Sequence, residues 1–230
     1  PQMCPEQGMS NMKDALGRTI DYMRISITDR CNLRCKYCMP YGVECVPRWD
    51  ILSLEEIQAV GICAAGLGIR HIKVTGGEPL VRRDCCQLVK QLKSTPGIEK
   101  VTITTNVLLE RYLDDLAEAG IDGINISLDT LDRDLYQRIT GTDALGTVME
   151  AVRRACAMPV SVKINAVSID FSQMDKEQRE AGQDGWRQMV ELAREYPVDV
   201  RFIEMMPIGY GKNFKTINHQ ELLEEMMRAY

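Results

Sequence analysis

The chain has 230 residues, a formal net charge of −5 and 45% hydrophobic residues, a composition typical of a soluble protein with an ample buried core. The acidic balance argues against nucleic-acid binding, which needs a basic face, and no apolar run approaches the ~18 residues that would indicate a membrane span. Nine cysteines without a disulfide framework or an export signal predict a reducing, cytoplasmic environment.

Short β-rich runs alternate with amphipathic segments after a stretch, residues 1–11, that we interpret as a loose leader. Strands are predicted at Tyr22–Thr28, His71–Thr75, Lys100–Thr105, Gly123–Asp129, Ser161–Val167 and Val198–Glu204. The first helix is predicted to begin at a capping box, Ser53 with Glu56, and to end near Gly66. The other predicted helices are Asp84–Lys93, Leu108–Ala119, Asp132–Ile139, Ala144–Ala157, Gly185–Glu195 and Asn218–Arg228.

Six strand–helix units in strict alternation imply parallel strands joined by right-handed crossovers. The strands are dense in Ile and Val, as expected when helices cover a parallel sheet. Six units are too few for a closed eight-stranded barrel. The predicted fold is therefore α/β: a partial, open TIM-type barrel in one domain, residues 12–230, with its site at the carboxyl ends of the strands.

Chemically unusual residues cluster after the predicted strands. They are Cys31 after the first, Gly76-Gly77-Glu78-Pro79 after the second, Thr104-Thr105-Asn106 after the third, Ser127 and Asp129 at the fourth, and Met205-Met206-Pro207 after the sixth. Because parallel strands end at one rim of the sheet, these side chains are expected to converge there. Asp129 is predicted to cap the helix that follows it.

Three cysteines, Cys31, Cys35 and Cys38, occupy eight residues of the run TDRCNLRCKYCMP. Three thiolates can bind three irons of a cubane iron–sulfur cluster and leave the fourth iron open to another ligand, whereas clusters that only transfer electrons usually have four protein ligands. A structural zinc site is the alternative, with Cys45 or a histidine as fourth ligand. Four further cysteines lie in apolar or helical patterns and are predicted to be small buried thiols rather than disulfide partners: Cys63, Cys85, Cys86 and Cys156.

The combination of CNLRCKYC with GGEP resembles the radical S-adenosylmethionine superfamily. The order GRTIDYMRISITDRCNLRCKYCMP, KVTGGEPLVRRD, TITTN, INISLDTLD, VKINAV and VRFIEMMPIG is similar to the GTP 3′,8-cyclase family of molybdenum cofactor biosynthesis. This resemblance extends from about Met12 to Tyr230. It implies a [4Fe-4S] cluster and S-adenosylmethionine as cofactors.

The resemblance also implies site residues. Cys31, Cys35 and Cys38 match the cluster ligands. The positions that match S-adenosylmethionine contacts are Tyr37, Gly77, Glu78, Ser127 and Met206. Those that match GTP contacts are Arg24, Lys73, Thr104, Lys163 and Arg201. Period-two alternation supports this, because it can point Arg24, Lys73 and Lys163 into the barrel mouth, where a triphosphate would offset their charge.

The implied reaction is hydrogen abstraction from C3′ of GTP followed by cyclisation onto C8 of guanine. Implied partners are cyclic pyranopterin monophosphate synthase downstream, an electron donor such as flavodoxin or ferredoxin, and a second copy in a homodimer; no nucleic acid or membrane is expected. Two alternatives remain open: another radical enzyme, such as a peptide or protein maturase, and a non-enzymatic cysteine–metal module.

The sequence departs from the family pattern at four places, one of which is His71, at a position before Lys73 that is often lysine in the family. The family's TTNG reads TTNV, with Val107 in place of glycine, and residues 170–184 form a longer, charged connection. The family continues into a C-terminal segment with a second cysteine trio that binds a second cluster, and no such trio occurs up to Tyr230. We therefore expect this chain to bind S-adenosylmethionine better than it turns over GTP.

Overall fold

The computed structural model describes residues 12–170 and 185–230. The predicted leader, 1–11, and nearly all of the charged connection, 171–184, lie outside the described residues. No helix in the described ranges has the length and apolar character needed to cross a membrane.

Six parallel strands form one open sheet in the order β1-β2-β3-β4-β5-β6, which confirms the predicted fold class. The strands are β1 Tyr22–Ser26, β2 His71–Thr75, β3 Lys100–Thr105, β4 Gly123–Ser127, β5 Ser161–Ser168 and β6 Val198–Glu204. Each strand pairs with its neighbours in sequence, so β1 and β6 lie at the two ends of the sheet.

Seven α-helices alternate with these strands in the part of the chain that is described. They are α1 Leu54–Gly66, α2 Cys85–Lys93, α3 Leu113–Glu118, α4 Arg133–Thr140, α5 Leu145–Cys156, α6 Gly185–Glu195 and α7 His219–Ala229. The predicted capping box is confirmed, because the Ser53 side chain accepts from the Glu56 amide while the Glu56 carboxylate accepts from the Ser53 amide.

The predicted helix Leu108–Ala119 is correct only in its second half. Residues Glu110–Tyr112 form a single 3-10 turn before the α-helix Leu113–Glu118. The Asn106 and Thr105 side chains accept the amides of Leu108 and Val107, so the chain is held in a turn where the apolar spacing alone indicates a helix.

The core lies between the sheet and its helices. Ile72, Val74, Ile103, Ile124 and Ile126 are at most 1% exposed, and each contributes about 1.5–3 kcal/mol by leaving water. Because side chains alternate between the faces of a strand, this outward packing turns the polar residues of the same strands toward the concave inner face.

The strand register arranges the inner-face residues in rows. Arg24 lies beside Lys73 and Lys73 beside Thr102. The next row contains Thr104, Asn125, Lys163 and Asp199, and the row nearest the strand ends contains Ser127, Asn165 and Arg201.

Candidate active site

The cysteine loop, residues 31–38, follows β1 at the carboxyl rim of the sheet. The amides of Cys38 and Met39 both donate to the Cys35 carbonyl, at 2.9 and 3.0 Å, and this turn brings Cys35 and Cys38 together. The pKa of the Cys35 thiol is raised to about 12, first by burial and then by nearby groups that include Cys31 and Cys38. Cys31 and Cys38 are therefore near enough to Cys35 to raise the pKa of its thiol.

This donor set fits an iron–sulfur cluster. Three thiols are the donor chemistry that such clusters use. No three His, Cys, Asp or Glu side chains within 12–170 and 185–230 are grouped closely enough to hold a single metal ion. A tetrahedral zinc site needs donors about 2.3 Å from one metal, whereas a multi-iron cluster needs more widely spaced thiolates. Cys45, the alternative zinc ligand, is exposed, and its thiol contacts the Val43 carbonyl. Cys85 is buried as predicted, whereas the prediction for Cys63 was wrong: Cys63 is exposed, because other residues of α1 form its buried face.

Two glycines let the loop after β2 lie against the start of the cysteine loop. The Gly77 amide donates to the Thr28 carbonyl at 2.7 Å, and the Glu78 amide donates to the Arg30 carbonyl at 2.8 Å. A Cβ atom at Gly76 would lie 2.6 Å from the Thr28 carbonyl oxygen, and one at Gly77 would collide with the Arg30 carbonyl. The close backbone contact therefore requires glycine at both positions.

Glu78 is 1% exposed, and its carboxylate is held by donors of this chain. One oxygen accepts from the Leu80 amide at 3.0 Å and from the Thr105 hydroxyl at 2.7 Å; the other accepts from the Asn106 amide at 2.7 Å. Burial raises its pKa, and these hydrogen bonds oppose that rise. Glu78 therefore joins the ends of β2 and β3, and its predicted contact with S-adenosylmethionine stays a prediction.

Tyr37 joins the cysteine loop to the end of β4. Its hydroxyl donates to Asp129 Oδ2 at 2.7 Å, and the Val167 amide donates to Asp129 Oδ1 at 2.9 Å. Burial raises the pKa of Asp129 to about 6. The predicted helix cap was wrong: Asp132 caps α4 by accepting from the Leu135 amide, and Asp129 bridges Tyr37 to β5 instead.

Two more predicted cofactor contacts are open to ligand at the same rim. Ser127 is exposed at the end of β4, and Met206, after β6, is 63% exposed. Met205 is 4% exposed and packs in the core as a methionine commonly does. The structure therefore separates the two adjacent methionines into a core residue and an accessible one.

Four cations lie on the concave inner face: Arg24, Lys73, Lys163 and Arg201. The pKa of Lys73 is lowered, first by burial and then by Arg24, Arg201 and Lys163. Lys163 pairs with Asp199 at 2.5 Å. Arg24, Lys73 and Arg201 form no salt bridge within the described ranges. The repulsion among the four cations is therefore only partly offset.

Sequence reasoning missed several residues that the structure brings into this site. Asp199 was not expected to pair with Lys163, although the two are direct neighbours in the β5–β6 register. The sequence analysis located Asn106 at a strand end but assigned it no role. In the structure its side chain donates to Asn32 in the cysteine loop at 2.8 Å. The sequence did offer a signal for both residues, because each is a polar residue at an inner-face or rim position of a strand.

The family model of the radical SAM superfamily matches residues 25–178. The chain belongs to this superfamily. Membership confirms the resemblance seen in the sequence and implies a [4Fe-4S] cluster and S-adenosylmethionine as cofactors. The match includes the end of β1, the cysteine loop, the GGEP turn and strands β2 to β5.

Several curated relatives carry the name GTP 3′,8-cyclase. The protein of Clostridium perfringens strain 13 is 42% identical over 216 residues, covering 93% of this chain and 64% of the relative. The protein of Moorella thermoacetica is 45% identical over 224 residues, which cover 95% of this chain and 67% of the relative. Molybdenum cofactor biosynthesis protein 1 of Drosophila melanogaster is 42% identical, and the matched region covers 37% of that protein. The chain thus spans about two thirds or less of these relatives.

Solved structures agree on the fold. Streptococcus suis SuiB bound to S-adenosylmethionine superposes with a TM-score of 0.71 at 22% identity, over 91% of this chain and 47% of SuiB. Methylornithine synthase (PylB) superposes with a TM-score of 0.59 at 19% identity, over 79% of this chain and 52% of PylB. At these identities the likeness supports the partial-barrel fold alone.

Proposed function

We propose that the chain is the barrel core of a GTP 3′,8-cyclase that acts early in molybdenum cofactor biosynthesis. One observation carries the substrate assignment: four cations lie on the inner face, and among the described residues only Lys163 forms a salt bridge to an acid. A triphosphate supplies the anionic charge that such a face lacks. The names of the curated relatives support the same substrate.

The cysteine loop would hold the cluster through Cys31, Cys35 and Cys38. Gly77, Glu78, Tyr37, Ser127 and Met206 would surround S-adenosylmethionine at the rim. When bound, these cofactors supply a 5′-deoxyadenosyl radical, the species that takes hydrogen from C3′ of GTP. The product we propose is 3′,8-cyclo-7,8-dihydro-GTP, which carries a new bond between C3′ and C8.

The chain's own residues position the substrate and limit side reactions. Arg24 and Lys73 are paired in register on β1 and β2, and Arg201 lies two rows nearer the rim than this pair. A triphosphate that bridges these cations is held along the inner face, with its nucleoside toward the strand ends. Thr104 supplies a hydroxyl in the row between.

Cluster binding is tested by anaerobic reconstitution of the full chain with iron and sulfide. The expected preparation is brown, contains about four irons per chain and cleaves S-adenosylmethionine when reduced. Cys35→Ala is expected to abolish cleavage, with Cys63→Ala, an exposed cysteine on α1, as the matched control. Cleavage that survives in Cys35→Ala would refute the cluster assignment, and a colourless zinc-loaded protein would favour the cysteine–metal module.

GTP binding is tested by chemical protection. Acetylation of Lys163 and Lys73, read by peptide mass spectrometry, is expected to slow when GTP is present. Lys90, an exposed lysine on α2, should react at an unchanged rate. Equal protection by GTP at all three lysines, or at none, would favour the alternative of a radical enzyme with another substrate.

The proposed partners follow from this function. The cluster requires one electron per turnover, which flavodoxin or ferredoxin in the cytoplasm would supply, and cyclic pyranopterin monophosphate synthase would consume the product. Sedimentation of the purified chain tests the proposed homodimer.

A further inference from the structure

The turn after β3 has an unusual backbone. Val107 has φ of 51° and is 0% exposed. The left-handed region is unfavourable for L-residues, and a β-branched residue there is a true outlier. Strain of this kind persists only where surrounding contacts enforce it.

The enforcing contacts are centred on the residue before it, Asn106, which is 6% exposed. Its backbone amide donates to Glu78 at 2.7 Å, and its side-chain oxygen accepts from the Leu108 amide at 3.1 Å. The first contact fixes the backbone at Asn106, and the second orients its side-chain amide with the oxygen toward Leu108 and the NH₂ group away from it. That group donates to Asn32 Oδ1 at 2.8 Å.

Asn32 lies between Cys31 and Cys35. The loop is also held by backbone contacts, in which the amides of Arg34 and Lys36 donate to the Thr140 and Ile139 carbonyls at 3.0 and 2.9 Å, and beyond Cys35 by the Tyr37–Asp129 hydrogen bond. The Asn106–Asn32 bond is a side-chain contact that connects the buried turn around Glu78 to the segment between the first two cysteines.

We propose that Asn106 is a positioning residue that acts through Asn32 to hold the segment between Cys31 and Cys35 in its cluster-binding conformation. The strained turn at Val107 aims the Asn106 amide at that segment. The inference rests on the proposed function in one respect, that these cysteines bind the cluster.

The first test is a double-mutant cycle on reconstituted protein, with the rate of iron release to a chelator as the readout. Asn32→Ala should speed release about fivefold, the value of one hydrogen bond, and Asn106→Ala, which also removes the acceptor for the Leu108 amide, at least as much. The double variant should release iron at the rate of Asn106→Ala alone, because Asn32→Ala then has no bond left to remove. Asn32→Asp, which keeps an acceptor for the Asn106 amide, should retain iron like the unmodified chain.

The second test uses the cluster-free chain. Hydrogen–deuterium exchange at the Arg34 and Lys36 amides should accelerate about fivefold in Asn106→Ala and in Asn32→Ala. Asn218→Ala is the matched control: it removes an asparagine that caps α7, and it should leave both readouts unchanged.

The outcomes are distinct. Unchanged iron release and unchanged exchange in the alanine variants, or release rates that multiply in the double variant, would overturn the positioning role and leave the proposed function standing. An unmodified chain that binds no cluster would overturn both. Faster release and faster exchange confined to the two asparagine positions support the inference.

Discussion

Lys73 gives the most direct test of whether the inner face is built for an anion. It lies in the row with Arg24, and repulsion from Arg24, Arg201 and Lys163 joins burial in lowering its pKa. A lysine whose pKa is lower in the folded state destabilises the fold while it is charged, so stability should rise with pH as Lys73 loses its proton. Lys73→Met removes this cost at neutral pH.

We expect Lys73→Met to raise the free energy of unfolding of the ligand-free chain by ~0.5–1 kcal/mol after allowance for solvent screening. For a chain of this size that is a rise in melting temperature of about 1–4 °C. The same substitution removes a charged donor to phosphate, worth about 1.5–3 kcal/mol, and should weaken GTP binding about 10- to 150-fold.

Differential scanning fluorimetry and isothermal titration calorimetry measure the two effects. Lys90→Met, on the helical side of the sheet, is the matched control and should change neither. A lower melting temperature in Lys73→Met, or GTP affinity within about twofold of the unmodified chain, would refute the assignment of this face to an anionic substrate.

Three further variants probe the neighbouring contacts. Asp199→Asn frees Lys163 from its exposed partner and should tighten GTP binding about two- to fivefold by calorimetry; weaker binding would show that the ion pair helps the site. Val107→Gly relieves left-handed strain, so in urea titrations it should cost about 1–2 kcal/mol less than Val74→Gly, which removes an equally buried valine; equal costs would contradict the strain. Asp129, with its pKa raised to about 6, binds a proton more tightly when folded, so the unmodified chain loses stability from about pH 4 to pH 6. Asp129→Asn should lack this loss and gain about 3 kcal/mol relative to the unmodified chain by pH 7; parallel pH profiles would rule this out.

The local sequence determined the fold class, because alternating strand and helix patterns with covered parallel strands admit few arrangements. It also placed Arg24, Lys73, Lys163 and Arg201 on one face, since alternation along each strand requires only a period of two. The cysteine spacing and the GGEP turn indicated the superfamily from residues that are close together in the chain.

The tertiary structure alone decided which polar groups meet. The Tyr37–Asp129 and Asn106–Asn32 bonds join residues 92 and 74 positions apart, and both depend on how loops from different strands meet at the rim. The pairing of Lys163 with Asp199 depends on the β5–β6 register, which a one-residue shift would abolish. The sequence therefore supplies the chemical groups and their faces, while packing and register decide which groups position one another.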